Sequence, residues 1–252
     1  MKLLILLFSC CLVAVQSSPA KKMTDREHAG FIGPVKSVYL EYEMPERNYG
    51  DRLQGKHCRG LTDVYNAAGQ LIQHSVYPGS CGEDEIRESY AYASDGSRTT
   101  KKADARDKNS PSPSGGFSTG PSGDTGPVRE TYRHDASGRL VESSLVRQNG
   151  KLIAKYVYVY DSMGRLIETR SVEANGAISD RRVNGYEGSN KAPSTFSYID
   201  GRGKAIERST YSDYEFNAQG DWIKRKMETE ETLSPKQTLI ETRKIEYYGA
   251  RN

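Results

Sequence analysis

The chain of 252 residues is short of the material for a thick hydrophobic interior: it has one Trp and five Phe, with hydrophobic residues at 35% and a mean hydropathy of −0.74. This argues against a large α/β core and favours thin, half-exposed sheets. Neither charge is in real surplus: Lys and Arg total 36 against 33 Asp and Glu, and the signs are interleaved. A nucleic-acid binder needs a one-sided basic patch, so no nucleic-acid partner is expected. No later segment than the first fifteen residues is apolar for long enough to span a bilayer as a helix. GxSxG, HExxH and a glycine-rich phosphate loop are all missing. No catalytic residue, metal site or cofactor is therefore assigned, and the expectation is a non-enzyme. Histidine is scarce, and His28, His57, His74 and His134 sit in unrelated contexts.

What is present begins at the N-terminus. Lys2 precedes the apolar run LLILLFSCCLVAV (residues 3–15), and QSSPA leads on to Lys21 and Lys22. This is the layout of a secretory signal peptide over residues 1–20, with cleavage after Ser17, Ser18 or Ala20, and it predicts a secreted or periplasmic protein. The competing reading is a lipoprotein signal, in which LFSC presents Cys10 for lipidation and an outer-membrane anchor. The apolar run before Cys10 is short and continues beyond it, which favours soluble export. Once Cys10 and Cys11 leave with the signal, an oxidising compartment holds Cys58 and Cys81, and an even pair there predicts a disulfide.

The strongest pattern is internal repetition. YNAAGQLIQ begins at Tyr65, HDASGRLVE at His134, YDSMGRLIE at Tyr160 and FNAQGDWIK at Phe216, with looser copies at Tyr92 and Ile199. The shared phrase is an aromatic, Asp or Asn, two free positions, then Gly: Asn66 with Gly69, Asp135 with Gly138, Asp161 with Gly164, Asp200 with Gly203, and Asn217 with Gly220. Half-repeats carry Gly150 and Gly176. A short acidic or amide side chain that accepts backbone N–H groups, followed three residues on by a glycine at positive φ, makes a β-hairpin turn with a bulge. The flanks, such as KYVYVYD before Asp161, are rich in β-branched and aromatic residues. The expected fold is all-β: an extended or curled antiparallel sheet of repeated hairpins in a meander. Residues 21–103 form an N-terminal hairpin region with the disulfide, 104–127 a flexible Pro/Gly/Ser-rich loop, and 128–252 the C-terminal repeats, with one sheet continuous across the loop. Residues 187–193 read as a shorter loop, and 224–248 as two strands joined around Ser234-Pro235, with a short helix as the alternative for the first.

YDSMGRLIE and its relatives resemble the YD repeats of Rhs and teneurin-type proteins, and GFIGPVKSVYLEYE from Gly30 resembles the opening strand of small secreted bacterial members. In large relatives many repeats wind into a shell around a toxic domain or present an adhesive surface. Here the repeats read as too few to close a shell, so the resemblance implies architecture and, at most, carbohydrate binding.

Tyr156, Tyr158 and Tyr160 share one face of a strand. With Tyr90, Tyr92, Tyr132, Tyr198, Tyr211 and Tyr214 they suggest an aromatic ladder for a glycan or an envelope protein, weighed against a purely cross-strand packing role. Arg139 and Arg165, just past the turns, are expected to pair with Glu142 and Glu168. The functional expectation is an exported binding or scaffold protein. The alternatives are a hydrolase of envelope polysaccharide, marked by clustered carboxylates in a pocket, and a companion or inhibitor of another envelope protein.

Overall fold

A computed structural model of the chain describes residues 21–43, 57–77, 85–105, 128–232 and 234–249. After a one-turn helix α1 (Asp25–His28) come fourteen strands: β1 (Val35–Glu43), β2 (His57–Tyr65), β3 (Leu71–Val76), β4 (Ile86–Tyr92), β5 (Arg98–Ala105), β6 (Val128–His134), β7 (Leu140–Arg147), β8 (Leu152–Tyr160), β9 (Leu166–Glu173), β10 (Ile178–Gly185), β11 (Thr195–Asp200), β12 (Ala205–Phe216), β13 (Trp222–Glu231) and β14 (Ser234–Tyr247). Each strand pairs antiparallel with its neighbours in sequence, and β1 pairs with β14, from Val35 opposite Tyr247 to Glu43 opposite Ile240.

The all-β meander is therefore present, but as a closed barrel rather than an open sheet. The repeats suffice for closure because the strands between them count as well. Strands from both sides of residues 104–127 share the one barrel, with β5 reaching Ala105 and residues 106–127 lying outside the described residues. The segment with a helix alternative is strand β13. The signal segment, Cys10 and Cys81 also lie outside the described residues. Cys58 is buried in β2 and disulfide-bonded.

The hairpin turns share one mechanism. In Asp161 to Arg165, Asp161 Oδ1 accepts from the N–H groups of Met163 and Arg165, both at 2.9 Å, and Gly164, at φ +79°, donates to the Asp161 carbonyl. Asp135, Asp200 and Asn217 repeat this geometry. Two strands per unit return every full repeat to the same end of the barrel. The turns after Tyr65, Tyr92, His134, Tyr160 and Phe216 all gather at that end, whereas Gly150, Gly176 and the Asp200–Gly203 turn lie at the opposite one, as the strand order dictates. The Ile199 copy, which lacks the aromatic, belongs to the other rim.

A barrel of fourteen strands is wider than the eight-stranded size that side chains fill unaided. Residues 21–34 occupy the end with the aromatic turns as a plug. The amides of Met23 and Arg26 donate to the carbonyls of Gly138 (2.7 Å) and Gly69 (3.0 Å), and the Ile32 amide donates to Asp221 Oδ1 (2.9 Å). Thr24 caps α1 reciprocally with Glu27. Phe31 enters a small apolar cluster with Val35, Val38 and Tyr65, beside Leu71, Ile245 and Tyr247.

Beyond this cluster the described interior also holds polar and charged side chains, with Leu140 and Cys58 buried as well. Arg98 and Glu130 pair at 2.5 Å where β5 meets β6, a seam that among the described residues is joined by Arg98 opposite Glu130 and Thr99 opposite Arg129. Arg225 pairs with Glu241, and His74 Nδ1 lies 2.6 Å from Asp63. The outer wall carries ion pairs: Glu142 with Arg133 (3.2 Å) and Lys155 (3.7 Å), Glu168 with Arg170 (2.7 Å), Glu41 with Lys244 (2.9 Å). Arg139 and Arg165 depart from the expected pairing. Each folds back onto the Asp of its own turn, Asp135 at 2.8 Å and Asp161 at 2.7 Å, because the bulge brings its guanidinium there.

Candidate functional site

The plug crosses the barrel mouth without filling it and leaves a cleft on either side. The larger, about 440 Å³, lies between α1 and the wall formed by the β8–β9 turn, the β10–β11 loop and the β12–β13 turn. The smaller, about 340 Å³, faces β3 to β7, with Asp25, Tyr92 and Tyr132 among its lining residues.

His28, Tyr160, Tyr186, Asn184, Trp222, Arg225 and Arg243 line the larger cleft. Tyr160 is held by its register beside Leu140, to whose carbonyl its hydroxyl donates (2.9 Å), and it lies 3.3 Å from His28 Nδ1. Burial drives the His28 pKa down to about 4, which keeps the imidazole neutral against Tyr158 (4.6 Å between ring centroids) and Tyr160. Tyr158 is pushed up to about 12 by burial and shares a hydrogen bond with Ser143. Arg243 lies over Trp222 at 3.5 Å from the ring centroid and 5.2 Å from that of Phe31. Ile32, Met163 and Phe216 rim the opening and are about half exposed, at 52%, 55% and 51%.

The carboxylates of the cleft are committed. Glu27 accepts from the Thr24 amide and pairs with Lys21, and Asp221 accepts from the Ile32 amide and the Tyr247 hydroxyl (2.7 Å). Among the described residues no group of three His, Cys, Asp or Glu is arranged to hold a metal.

Of the residues singled out in the sequence, Tyr156, Tyr158 and Tyr160 do share a face, but it is the face toward the lumen. Tyr160 alone reaches the larger cleft. The ladder is therefore a lining, not an exposed surface, because strand alternation turns Val157 and Val159 outward. Asn66, Asp135, Asp161, Asp200 and Asn217 hold turns. Sequence reasoning did not single out Arg243, Trp222 or the plug. The plug had a legible signal in Thr24-Asp25-Arg26-Glu27, a capping box ahead of the Phe31–Pro34 stretch; nothing local marks Arg243.

No family model matches the sequence, and no curated protein does. Among solved structures, a porin-like protein from Bacteroides uniformis is similar over 91% of this chain and 100% of that one, at 12% identity and a TM-score of 0.45. A putative outer membrane lipoprotein-sorting protein domain from Vibrio parahaemolyticus (89% and 91% covered, 10% identity, TM-score 0.39) and a LolA superfamily protein from Nitrosomonas europaea (90% and 93%, 11%, 0.34) are also similar. At scores and identities this low, the likenesses do not identify a function.

Proposed function

We propose that this chain is an exported, non-catalytic binding protein of the cell envelope or extracellular space, and that it holds a small molecule in the larger cleft beside the plug. The observation that carries this reading is the cleft itself: its volume falls in the range of ligand sites, its rim is apolar and exposed, and its floor is aromatic and cationic. The hydrolase alternative asks for free carboxylates in a pocket, and Glu27 and Asp221 are both engaged. An extended glycan stacked on Tyr156 and Tyr158 is disfavoured by their inward direction. In this reading the hairpins are YD-like repeats, residues 1–20 are the export signal, Cys58 pairs with Cys81, and the mature chain starts near Lys21, so that the plug is its N-terminal segment.

The test is native purification from the envelope fraction, followed by denaturation and mass spectrometry of what is released. A defined small molecule should leave with the wild-type chain and be absent from Ala192→Trp, which fills the cleft. Recovery of nothing, alongside a protein stably held on the outer strands, overturns the reading in favour of a scaffold.

A further inference from the structure

Arg243 is the group in the cleft whose charge the fold does not answer. Its guanidinium lies over Trp222 and, farther off, Phe31, and among the described residues it makes no ion pair or hydrogen bond. The neighbouring acids are spent: Glu241 is paired with Arg225, while both oxygens of Asp221 accept from Ile32 and Tyr247. Arg165, also in the lining, is used by Asp161 and by the carbonyls of Gly188 and Asn190, and Lys191 stands exposed at the edge. Burial and the adjacent Arg225 press the Arg243 pKa down to about 10, the signature of a cation short of a counter-charge. A part-buried cation without a counter-charge is disfavoured, and an oxyanion from outside would supply that charge through a charge-assisted fork.

A second observation concerns what else the site presents. Among the large hydrophobic side chains left exposed on the described surface, Ile32, Met163 and Phe216 meet at this one opening. Scattered exposed apolar residues are ordinary, but a cluster around a cavity is a contact surface.

We propose that the cleft takes an amphipathic acid, a molecule with an oxyanion headgroup on a hydrocarbon or aromatic body, the headgroup on Arg243 and the body along Phe216, Met163 and Ile32. This deepens the binding reading above and rests on it. A carboxylate and a phosphate monoester share the chemistry, and the test separates them.

Trp222 is the only tryptophan of the chain and lines the cleft, so its emission reports occupancy, with calorimetry as a second readout. Laurate, dodecyl phosphate and the uncharged dodecanol are titrated below their micellar concentrations into wild-type protein, Arg243→Gln, Arg243→Lys and Phe216→Ser, each checked by thermal melting. One or both acids should bind wild type at least tenfold more tightly than dodecanol, and the tighter acid names the headgroup. Arg243→Gln should weaken the acids by about 10- to 100-fold, the loss of a charged hydrogen-bonding partner, and leave dodecanol unchanged. Arg243→Lys should fall between, and Phe216→Ser should weaken all three. Equal binding of dodecanol and the acids to wild type overturns the acid headgroup while leaving a binding cleft, and needs no variant to fold. Acid binding unaltered in Arg243→Gln likewise assigns Arg243 a purely structural role. Occupancy by none of the three overturns the amphiphile, and a small molecule still recovered by native purification then leaves the cleft as a site for another chemistry.

Discussion

Gly138 and Gly150 close turns of like backbone on opposite rims, and the plug lies against Gly138 alone of the two, so substituting each with Ala reads what the plug contributes. Both close hairpin turns with nearly the same backbone, φ +80° and +81°. An alanine there carries the left-handed strain of an L-residue, about 1 kcal/mol, at either position. At Gly150 the new methyl meets nothing within 4 Å, whereas at Gly138 it would run into the carbonyl oxygen of Lys21. That oxygen is backbone and cannot swing aside, so the plug must lift, and the hydrogen bond from Met23 to Gly138 is lost with it. A lost hydrogen bond costs about 1 kcal/mol, and displaced packing adds about the same again. Gly150→Ala should therefore lose about 1 kcal/mol and Gly138→Ala about 3, read from urea unfolding followed by Trp222 emission. Trypsin should also cut at Lys22 and Arg26 faster in Gly138→Ala alone. Equal losses and equal cleavage would refute the plug as an integral part of the fold.

Other predictions follow from the same contacts. His28 has a depressed folded pKa, so the unfolded chain takes up the proton first and stability falls as pH drops from about 6.5 to about 4. The loss should approach 2–3 kcal/mol, and His28→Gln should flatten the curve between pH 6.5 and 5 in parallel denaturation series; an unchanged slope would place the imidazole in water. Glu130→Ala strands the mostly buried Arg98 at the β5–β6 seam and should cost about 3 kcal/mol, with hydrogen exchange rising first in β5 and β6 rather than uniformly. Cys58→Ser should lower stability by about 3 kcal/mol in oxidised protein. Two reactive thiols in unfolded, unreduced protein would contradict a disulfide between Cys58 and Cys81. The charged outer wall, costly against lipid tails, predicts partition into the aqueous phase in a detergent cloud-point separation; recovery in the detergent phase would argue for a lipid anchor.

The sequence made the hairpins legible because each turn is a local matter of an Asx side chain and a glycine. Closure was not legible, since the pairing of β1 with β14 joins residues some two hundred positions apart and leaves no local mark on either. The sense of the tyrosines failed for a related reason. Period-two alternation assigns Tyr156, Tyr158 and Tyr160 to one face, but whether that face looks in or out depends on which way the whole sheet curls. Arg243 was invisible because a basic residue between Thr242 and Lys244 reads as solvated; the approach of Trp222 from the neighbouring strand and of Phe31 from the plug half-buries it.

The rhythm of the repeats also constrains how such a chain can grow. One copy of the unit between Gly138 and Gly164 adds two strands and roughly 10 Å to the girth of the barrel, and every turn still falls on its proper rim. Tandem duplication is thus harmless to the wall. It is not harmless to residues 21–34, whose reach is fixed while they are tied at once to Gly69, Gly138 and Asp221 on different sides of the mouth. A larger ring would pull one mooring away from the others, so copy number and the length of the N-terminal segment have to change together.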